Sequence, residues 1–135
     1  MENKLEALAH SLNTTTTAED TTFDAVLTEN GVLEVVCSNN DEFPIHIAMT
    51  EAQLLAITPL FSTSEVQADK VDELNKIMLQ ISPAIPLSSV GLQDDHYILF
   101  GAMSINTIFE NIVHELEVQA ENTLEVLEAV ESLLV

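Results

Sequence analysis

Four histidines, a single cysteine and 23 acidic residues supply the side chains of this sequence that could bind metal ions or act as nucleophiles and bases. A metal site needs several such groups to converge on one ion. The closest set along the chain is Glu110, His114 and Glu117, whose spacing places all three on one face of a helix. The set differs from the Glu-x-x-His motif of di-iron bundles, and the sequence contains no Asp-x-Asp-x-Asp-Gly calcium loop. We therefore expect neither a specific metal site nor a cofactor.

Cys37 is the one candidate thiol nucleophile, and its neighbours in sequence do not favour that role. A reactive cysteine needs positive charge to stabilise its thiolate, whereas Glu34 and Asp41 flank this one. Ser88 and Ser89 lack the Gly-x-Ser-x-Gly elbow of serine hydrolases. The 3 glycines are too widely spaced to form a phosphate-binding loop. The sequence therefore indicates a protein without enzymatic activity.

The chain is strongly acidic, with a formal net charge of −20 from 3 lysines and 23 acidic residues. Proteins neutralise the phosphates of nucleic acids and of anionic lipids with lysine and arginine, so we exclude direct binding to nucleic acid or to a membrane surface. The acidic segment 1–6 does not resemble a signal peptide, and one cysteine cannot form an internal disulfide bond. We therefore expect a cytoplasmic protein.

The elements that must position these residues follow from hydrophobic periodicity, which predicts the order α-β-β-β-β-α-β-β-α. This order is typical of an α+β domain in which three helices pack on a mostly antiparallel sheet. The predicted elements are a helix over 2–12, strands over 23–28, 32–38, 43–49 and 54–61, a helix over 64–81, strands over 87–92 and 96–103, and a helix from 107 almost to 135. We interpret the chain 1–135 as a single domain with a polar connector over 13–22.

Three local features bear on the predicted strands. The pair Asn30-Gly31 predicts a β-hairpin closed by a type I′ turn. Pro44 lacks an amide donor, which places it at the edge or the start of its strand. The segment 50–61 is ambiguous, because Thr50 could begin a helix whereas the apolar run after it is short and contains Pro59. We interpret this segment as a strand.

The last predicted helix is long and amphipathic. Its apolar stripe has spacings of three and four residues and comprises Phe109, Ile112, Leu116, Ala120, Leu124, Leu127, Val130 and Leu134. Like charges one turn apart cost a few tenths of a kcal/mol, whereas each buried leucine-sized side chain contributes about 1.5–3 kcal/mol. The helix therefore needs tertiary or intersubunit packing. Its glutamates are either a solvated face or the site that binds a basic partner, and the residues assigned to that site are Glu110, Glu117, Glu121, Glu125 and Glu128.

Three segments carry a resemblance to a known family, namely 86–92 (PLSSVGL), 95–104 (DHYILFGAMS) and 121–129 (ENTLEVLEA). Together they resemble the YjfI family, small bacterial proteins without an assigned biochemical activity. Such proteins are often encoded beside a phage-shock-protein-A-like membrane-stress protein, so the resemblance implies that protein as a partner. The element order also resembles that of the type III secretion chaperones, which implies a chaperone-like fold.

These observations favour a non-enzymatic cytoplasmic interaction or adaptor protein that forms a homodimer. In this hypothesis a phage-shock-protein-A-like partner docks on a groove or on the sheet, and the acidic residues guide its approach. A small-ligand or metal-dependent enzyme that uses His96, His114 and nearby carboxylates is the first alternative. A secretion-type chaperone that binds an extended segment of another protein is the second.

Overall fold

The structure, a computed structural model, describes residues 2–135 of the chain, with side chains described from Lys4 onward. In this part of the chain, helices and strands follow the predicted order α-β-β-β-β-α-β-β-α. The helices are α1 (Glu2–Asn13), α2 (Val71–Ile81) and α3 (Phe109–Val130). The strands are β1 (Phe23–Leu27), β2 (Leu33–Cys37), β3 (Asn40–Met49), β4 (Gln53–Ser62), β5 (Ser89–Gln93) and β6 (His96–Ser104). Met1, the first residue of the predicted single domain, lies outside the described residues.

The six strands form one antiparallel sheet in the order β1-β2-β3-β4-β6-β5. All three helices pack on the same face of this sheet, and their buried side chains form two apolar clusters. One cluster joins α1 and the first half of α3 to the β1 end of the sheet, and includes Leu12, Leu33, Ile47, Leu54 and Leu116. The other joins α2 and the second half of α3 to the β5 end, and includes Phe61, Leu74, Leu99, Val126 and Val130. The predicted α+β architecture of three helices on an antiparallel sheet is confirmed.

A belt of buried polar side chains on α3 and the adjoining strands separates the two clusters. The Gln119 amide donates hydrogen bonds to the Ala56 carbonyl at 3.1 Å and to the Thr58 hydroxyl at 2.9 Å. The Asn122 amide donates to the Pro86 carbonyl at 2.7 Å and to the Ser88 hydroxyl at 3.1 Å. We call Thr58, Ser88, Gln119, Asn122 and Thr123 the polar belt. A shift of α3 along the sheet would leave these buried groups unpaired, so the belt fixes the position of the helix.

Gly101 gives α3 the space to approach β6. A Cβ atom at this position would lie 3.2 Å from the Leu87 carbonyl oxygen and 3.3 Å from Gln119 Oε1. Leu87 itself has a φ of 63°, a conformation that bulky residues rarely adopt. The Asn122 bond to the neighbouring Pro86 carbonyl holds this strained segment against the helix.

The ambiguous segment 50–61 is a strand, as predicted, because β4 runs from Gln53 to Ser62. The hydroxyl of Thr50 accepts hydrogen bonds from the amides of Ala52 and Gln53, and so closes a tight turn between β3 and β4 instead of starting a helix.

The predicted hairpin between β1 and β2 is confirmed, but its turn is not of type I′. Gly31 has a φ of 77°, whereas Asn30 is not among the residues with positive φ. The Gly31 amide donates to the Thr28 carbonyl, and the Thr28 amide donates to the Val32 carbonyl. The loop is therefore a three-residue turn that ends in a left-handed glycine.

The predicted starts of the second and third helices are wrong. Glu65 accepts a hydrogen bond from the Ser62 amide and so stabilises a single 3₁₀ turn at Thr63–Glu65, whereas α2 begins at Val71. The Thr107 hydroxyl donates to the Ser104 carbonyl instead of capping α3, which begins at Phe109. At the first place the Glu65 carboxylate stabilises the preceding turn and at the second the Thr107 hydroxyl does, since residues that cap helices also stabilise turns.

Replacing Gln119 by alanine is expected to lower the free energy of unfolding by about 1–3 kcal/mol, because Thr58 loses its buried partner. Urea denaturation measures the change. Glu121→Ala on the exposed side of α3 is the control, with an expected effect within about 0.5 kcal/mol. Equal effects of the two substitutions would contradict the role of the polar belt.

Candidate interaction surfaces

The exposed side of α3 carries four of the five glutamates that the sequence assigned to partner binding. Glu110, Glu121, Glu125 and Glu128 are exposed, and we call them the acidic face. Leu124, which was predicted to lie in the apolar stripe, is 46% exposed among them, whereas Val126 is fully buried. The buried side of α3 is therefore rotated relative to the predicted stripe, because the polar belt occupies the middle of the helix.

Glu117 does not belong to the acidic face, and the prediction that it faces solvent is wrong. It is 7% exposed, and its Oε2 accepts a hydrogen bond of 2.7 Å from the Thr17 hydroxyl. Its carbonyl accepts another from the Asn39 amide at 3.0 Å. The connector between α1 and β1 folds over this part of α3. The Thr17 hydroxyl also accepts a hydrogen bond from the Thr21 amide, which holds Thr17 in place. Glu117 thus joins the connector to the helix.

The set Glu110, His114 and Glu117 does not form a metal centre. All three line a cleft of about 480 Å³ between α3 and the connector 15–19. Glu117 is directed to Thr17, whereas Glu110 and His114 are exposed. Among the described residues, no three histidine, cysteine or acidic side chains are arranged to hold an ion. This finding applies equally to His96, the other histidine of the enzyme alternative.

Cys37 lies at the end of β2 and is buried in the first apolar cluster. Burial, and to a smaller extent the charge of Glu117, raises the pKa of this thiol to about 12. A thiol with this pKa carries almost no thiolate at neutral pH. Cys37 therefore packs as a small apolar residue and does not act as a nucleophile.

The face of the sheet opposite the helices is not covered by any described part of the chain, and we call it the open face. Strand alternation and register place a row of apolar side chains on it, because each lies between residues that point to the helices. The row includes Val26, Val36, Ala48, Leu55, Ile57, Pro59, Ile98, Phe100 and Ala102. Most antiparallel sheets are polar on the side that faces solvent. An apolar row on that side is typical of an interaction surface.

The open face is concave. A depression of about 460 Å³ has His46, Ile57 and Pro59 in its floor, and its walls come from the β1–β2 loop on one side and from Gln93 on the other. Its charged groups lie towards β1 and β2, where Asp24 and Glu34 share this face. Because Leu54–Ile57 is apolar at every position, the sequence contained the signal for a strand with two apolar faces, although it was read only as a short apolar run.

A second apolar depression, of about 270 Å³, lies between α2 and β5. Met78, Leu79, Val90, Leu92 and Tyr97 line it together with Asn75 and Gly91, and we call it the α2–β5 groove. At its inner end the Tyr97 hydroxyl donates a hydrogen bond to Asn75 Oδ1. Leu79 and Leu92 are 73% and 59% exposed, which makes the rim of this groove unusually apolar for a solvent-facing surface.

Comparison with known proteins gives a family and a fold. The family described as "Uncharacterized protein conserved in bacteria (DUF2170)" matches residues 2–134. The chain is 30% identical over 129 residues to the uncharacterized protein YjfI of Escherichia coli K12. The alignment spans 93% of this chain and 92% of YjfI. The same identity and coverage hold for YjfI of Escherichia coli O157:H7.

Two solved structures share the fold at low sequence identity. YbjN of E. coli, described as a putative transcription regulator, superposes with a TM-score of 0.70 at 15% identity, over 100% of this chain and 95% of YbjN. A chain of the HopA1–SchA chaperone–effector complex gives a TM-score of 0.62 at 16% identity, over 94% of this chain and 92% of that one. Within the described residues, no helix combines the length and the apolar character that crossing a membrane requires.

Cys37 is expected to react with iodoacetamide roughly a thousandfold more slowly in the folded chain than in urea, because its pKa of about 12 lies some three units above that of an unperturbed thiol. Mass spectrometry of the alkylated chain at mildly alkaline pH measures both rates. Rapid alkylation of the folded chain would contradict the buried, neutral thiol.

Added salt is expected to raise the melting temperature, because screening weakens the repulsion within a chain of net charge −20. Circular dichroism at low salt and at about 0.15 M salt, where charges more than about 8 Å apart are screened, measures the shift. Glu125→Gln on the acidic face should raise the low-salt melting temperature more than Glu51→Gln, which lies in the β3–β4 turn. A melting temperature independent of salt would contradict this account.

Proposed function

We propose that this chain, which belongs to the bacterial protein family DUF2170 together with YjfI, is a non-enzymatic adaptor that binds a protein partner. The observation that carries the proposal is the open face, an apolar and concave surface that no described helix covers. A sheet with this surface is more stable when another polypeptide removes it from water, since each buried apolar Å² contributes about 25 cal/mol.

The occupant that fits the open face is an amphipathic helix with basic flanks, supplied by the partner. Its apolar side would pack on the row that includes Ile57 and Phe100, as the chain's own helices pack on the other face. Basic side chains along its flank would meet Asp24 and Glu34. The net charge of −20 attracts a basic segment over a long range and so increases the rate of association.

In this proposal the acidic face of α3 contributes through its field and not through contact. Glu121, Glu125 and Glu128 lie on the solvent side of a helix that packs on the opposite face of the sheet. A helix bound to the open face therefore cannot touch them. Their role as direct contacts requires a second segment of the partner.

The partner we propose is the phage-shock-protein-A-like protein implied by the YjfI resemblance, because such a coiled-coil protein supplies long amphipathic helices. The adaptor acts as a homodimer in the cytoplasm, so that two open faces bind one partner assembly. A chaperone for a secreted polypeptide is the second candidate, favoured by the fold shared with the HopA1–SchA chaperone–effector complex.

Ile57→Glu is expected to weaken binding of the phage-shock-protein-A-like protein from the same bacterium by roughly tenfold or more, because it places a charge in the centre of the apolar row. Titration calorimetry measures the affinity, and circular dichroism checks the fold. Leu124→Glu, an exposed apolar position on α3, is the matched control and should bind as the unmodified chain does.

The same titration tests the electrostatic part of the proposal. Affinity should fall as salt rises, since the basic flank and the acidic chain are screened from each other. No binding at low salt would contradict the proposed partner. Equal weakening by Ile57→Glu and Leu124→Glu would contradict the open face as the binding site.

A further inference from the structure

We propose that two copies of this chain associate through the free edge of β5, about a two-fold axis that passes beside Leu92. In this dimer the backbones of the two Leu92 residues exchange hydrogen bonds, and Leu79 and Leu92 of each copy bury their exposed side chains across the α2–β5 groove. The inference rests on the homodimer of the proposed function, and it uses a surface separate from the open face.

The two edges of the sheet differ in how the chain itself covers them. At the β1 edge, the Asn13 amide donates to the Ala25 carbonyl at 2.9 Å, and the Ala25 amide donates to Asn13 Oδ1 at 2.7 Å. Both outward-facing backbone groups at the centre of β1 are therefore occupied. The outward groups of Phe23 and Leu27 have no described hydrogen-bond partner, so Asn13 hinders pairing at the centre of this edge without blocking all of it.

The β5 edge is blocked at one residue and open at the next. Gln93 pairs with His96 across the two-residue turn Asp94-Asp95, so alternate residues of β5 bond to β6 and the others face outward. The outward residues are Val90 and Leu92. The Val90 amide donates to the Ser82 hydroxyl at 3.1 Å, whereas no described residue bonds the outward amide and carbonyl of Leu92.

One open residue on an edge favours a symmetric partner. An extended peptide added to this edge would find only Leu92 with a free outward amide, because Ser82 already occupies that of Val90. Two antiparallel copies centred on Leu92 need only this residue, because it supplies one donor and one acceptor to its equivalent. Two hydrogen bonds then close the pair without any further free edge.

The side chains around Leu92 supply the remaining stabilisation. Leu79 projects from α2 beside the α2–β5 groove and is the most exposed large apolar side chain of α2, and Leu92 lies on the opposite wall. A two-fold axis at Leu92 brings the grooves of both copies together. Each copy then removes the exposed parts of two leucines from water, and this burial favours association.

The charge of this region also permits two copies to meet. A chain of net charge −20 repels itself at most orientations. Around the α2–β5 groove, Lys70 and Lys76 offset part of the charge of Asp69, Asp72, Glu73, Asp94 and Asp95. This region contains two of the three lysines of the sequence. Association at this surface therefore meets less repulsion than association through α3, whose acidic face has no lysine beside it.

Two substitutions test the interface without disturbing the monomer. Leu79→Glu changes an exposed helical side chain, and Leu92→Pro removes an amide that points away from β6. Analytical ultracentrifugation over a dilution series is expected to give twice the mass of one chain for the unmodified protein. Each variant should weaken the dimer by roughly tenfold or more. Leu92→Val and Val26→Glu, the latter an exposed position on the opposite edge strand, are controls that should remain dimeric.

Hydrogen exchange at the Leu92 amide separates this interface from any other. In the dimer this amide is expected to be protected, and Leu79→Glu should abolish the protection. A dimer in which the Leu92 amide exchanges freely, or in which both variants persist as dimers, would overturn this interface and leave the homodimer intact. A monomer at every concentration would overturn the interface and the homodimer together. The adaptor function is tested separately, by the binding of the partner to Ile57→Glu.

Discussion

The packing of α3 across one face of the sheet determines the rest of the structure. Two apolar clusters hold the ends of this helix, and the polar belt of Gln119 and Asn122 fixes where along the sheet it lies. Because α1 and α2 flank it on the same side, no helix in the described part of the chain remains to cover the other face. The open face is thus a direct consequence of placing all three helices on one side of six strands.

The charge of the chain acts differently on each of its surfaces. On α3, Glu121, Glu125 and Glu128 repel one another and keep this side of the helix in water. The stability of the helix comes from the apolar side chains on its buried side. The open face and the α2–β5 groove are mainly apolar, and few charges interrupt them. A strongly acidic protein can expose such surfaces and remain soluble, because repulsion between chains opposes non-specific association. Only a partner with complementary charge, or a largely apolar contact such as one at the α2–β5 groove, overcomes that repulsion.

Element type and order were predictable from the sequence because they depend on local periodicity. Ile45 and Ile47 alternate as in a strand, and both are buried in β3. The helical spacing of Leu5, Leu8 and Leu12 likewise matches their burial in α1. Helix starts were not predictable to the same degree. A threonine such as Thr107 can cap a helix or close the turn before it, and only the position of the preceding strand decides between the two. The burial of Glu117 was out of reach for the same reason, since its partner Thr17 lies 100 residues away.

The surfaces that carry the proposals depend on tertiary arrangement even more strongly. Ile57 and Ala56 are neighbours of similar character in sequence, yet one faces solvent and the other the helices, and only strand order assigns the covered side. Likewise, Asn13 and Ser82 look like ordinary polar residues until the fold places each beside an outward-facing amide. Asn13 occupies both outward groups of Ala25 at the centre of its edge, whereas Ser82 occupies one amide and leaves Leu92 open. An open residue that is itself an exposed leucine and lies beside the exposed Leu79 is a position where pairing with another chain is favoured.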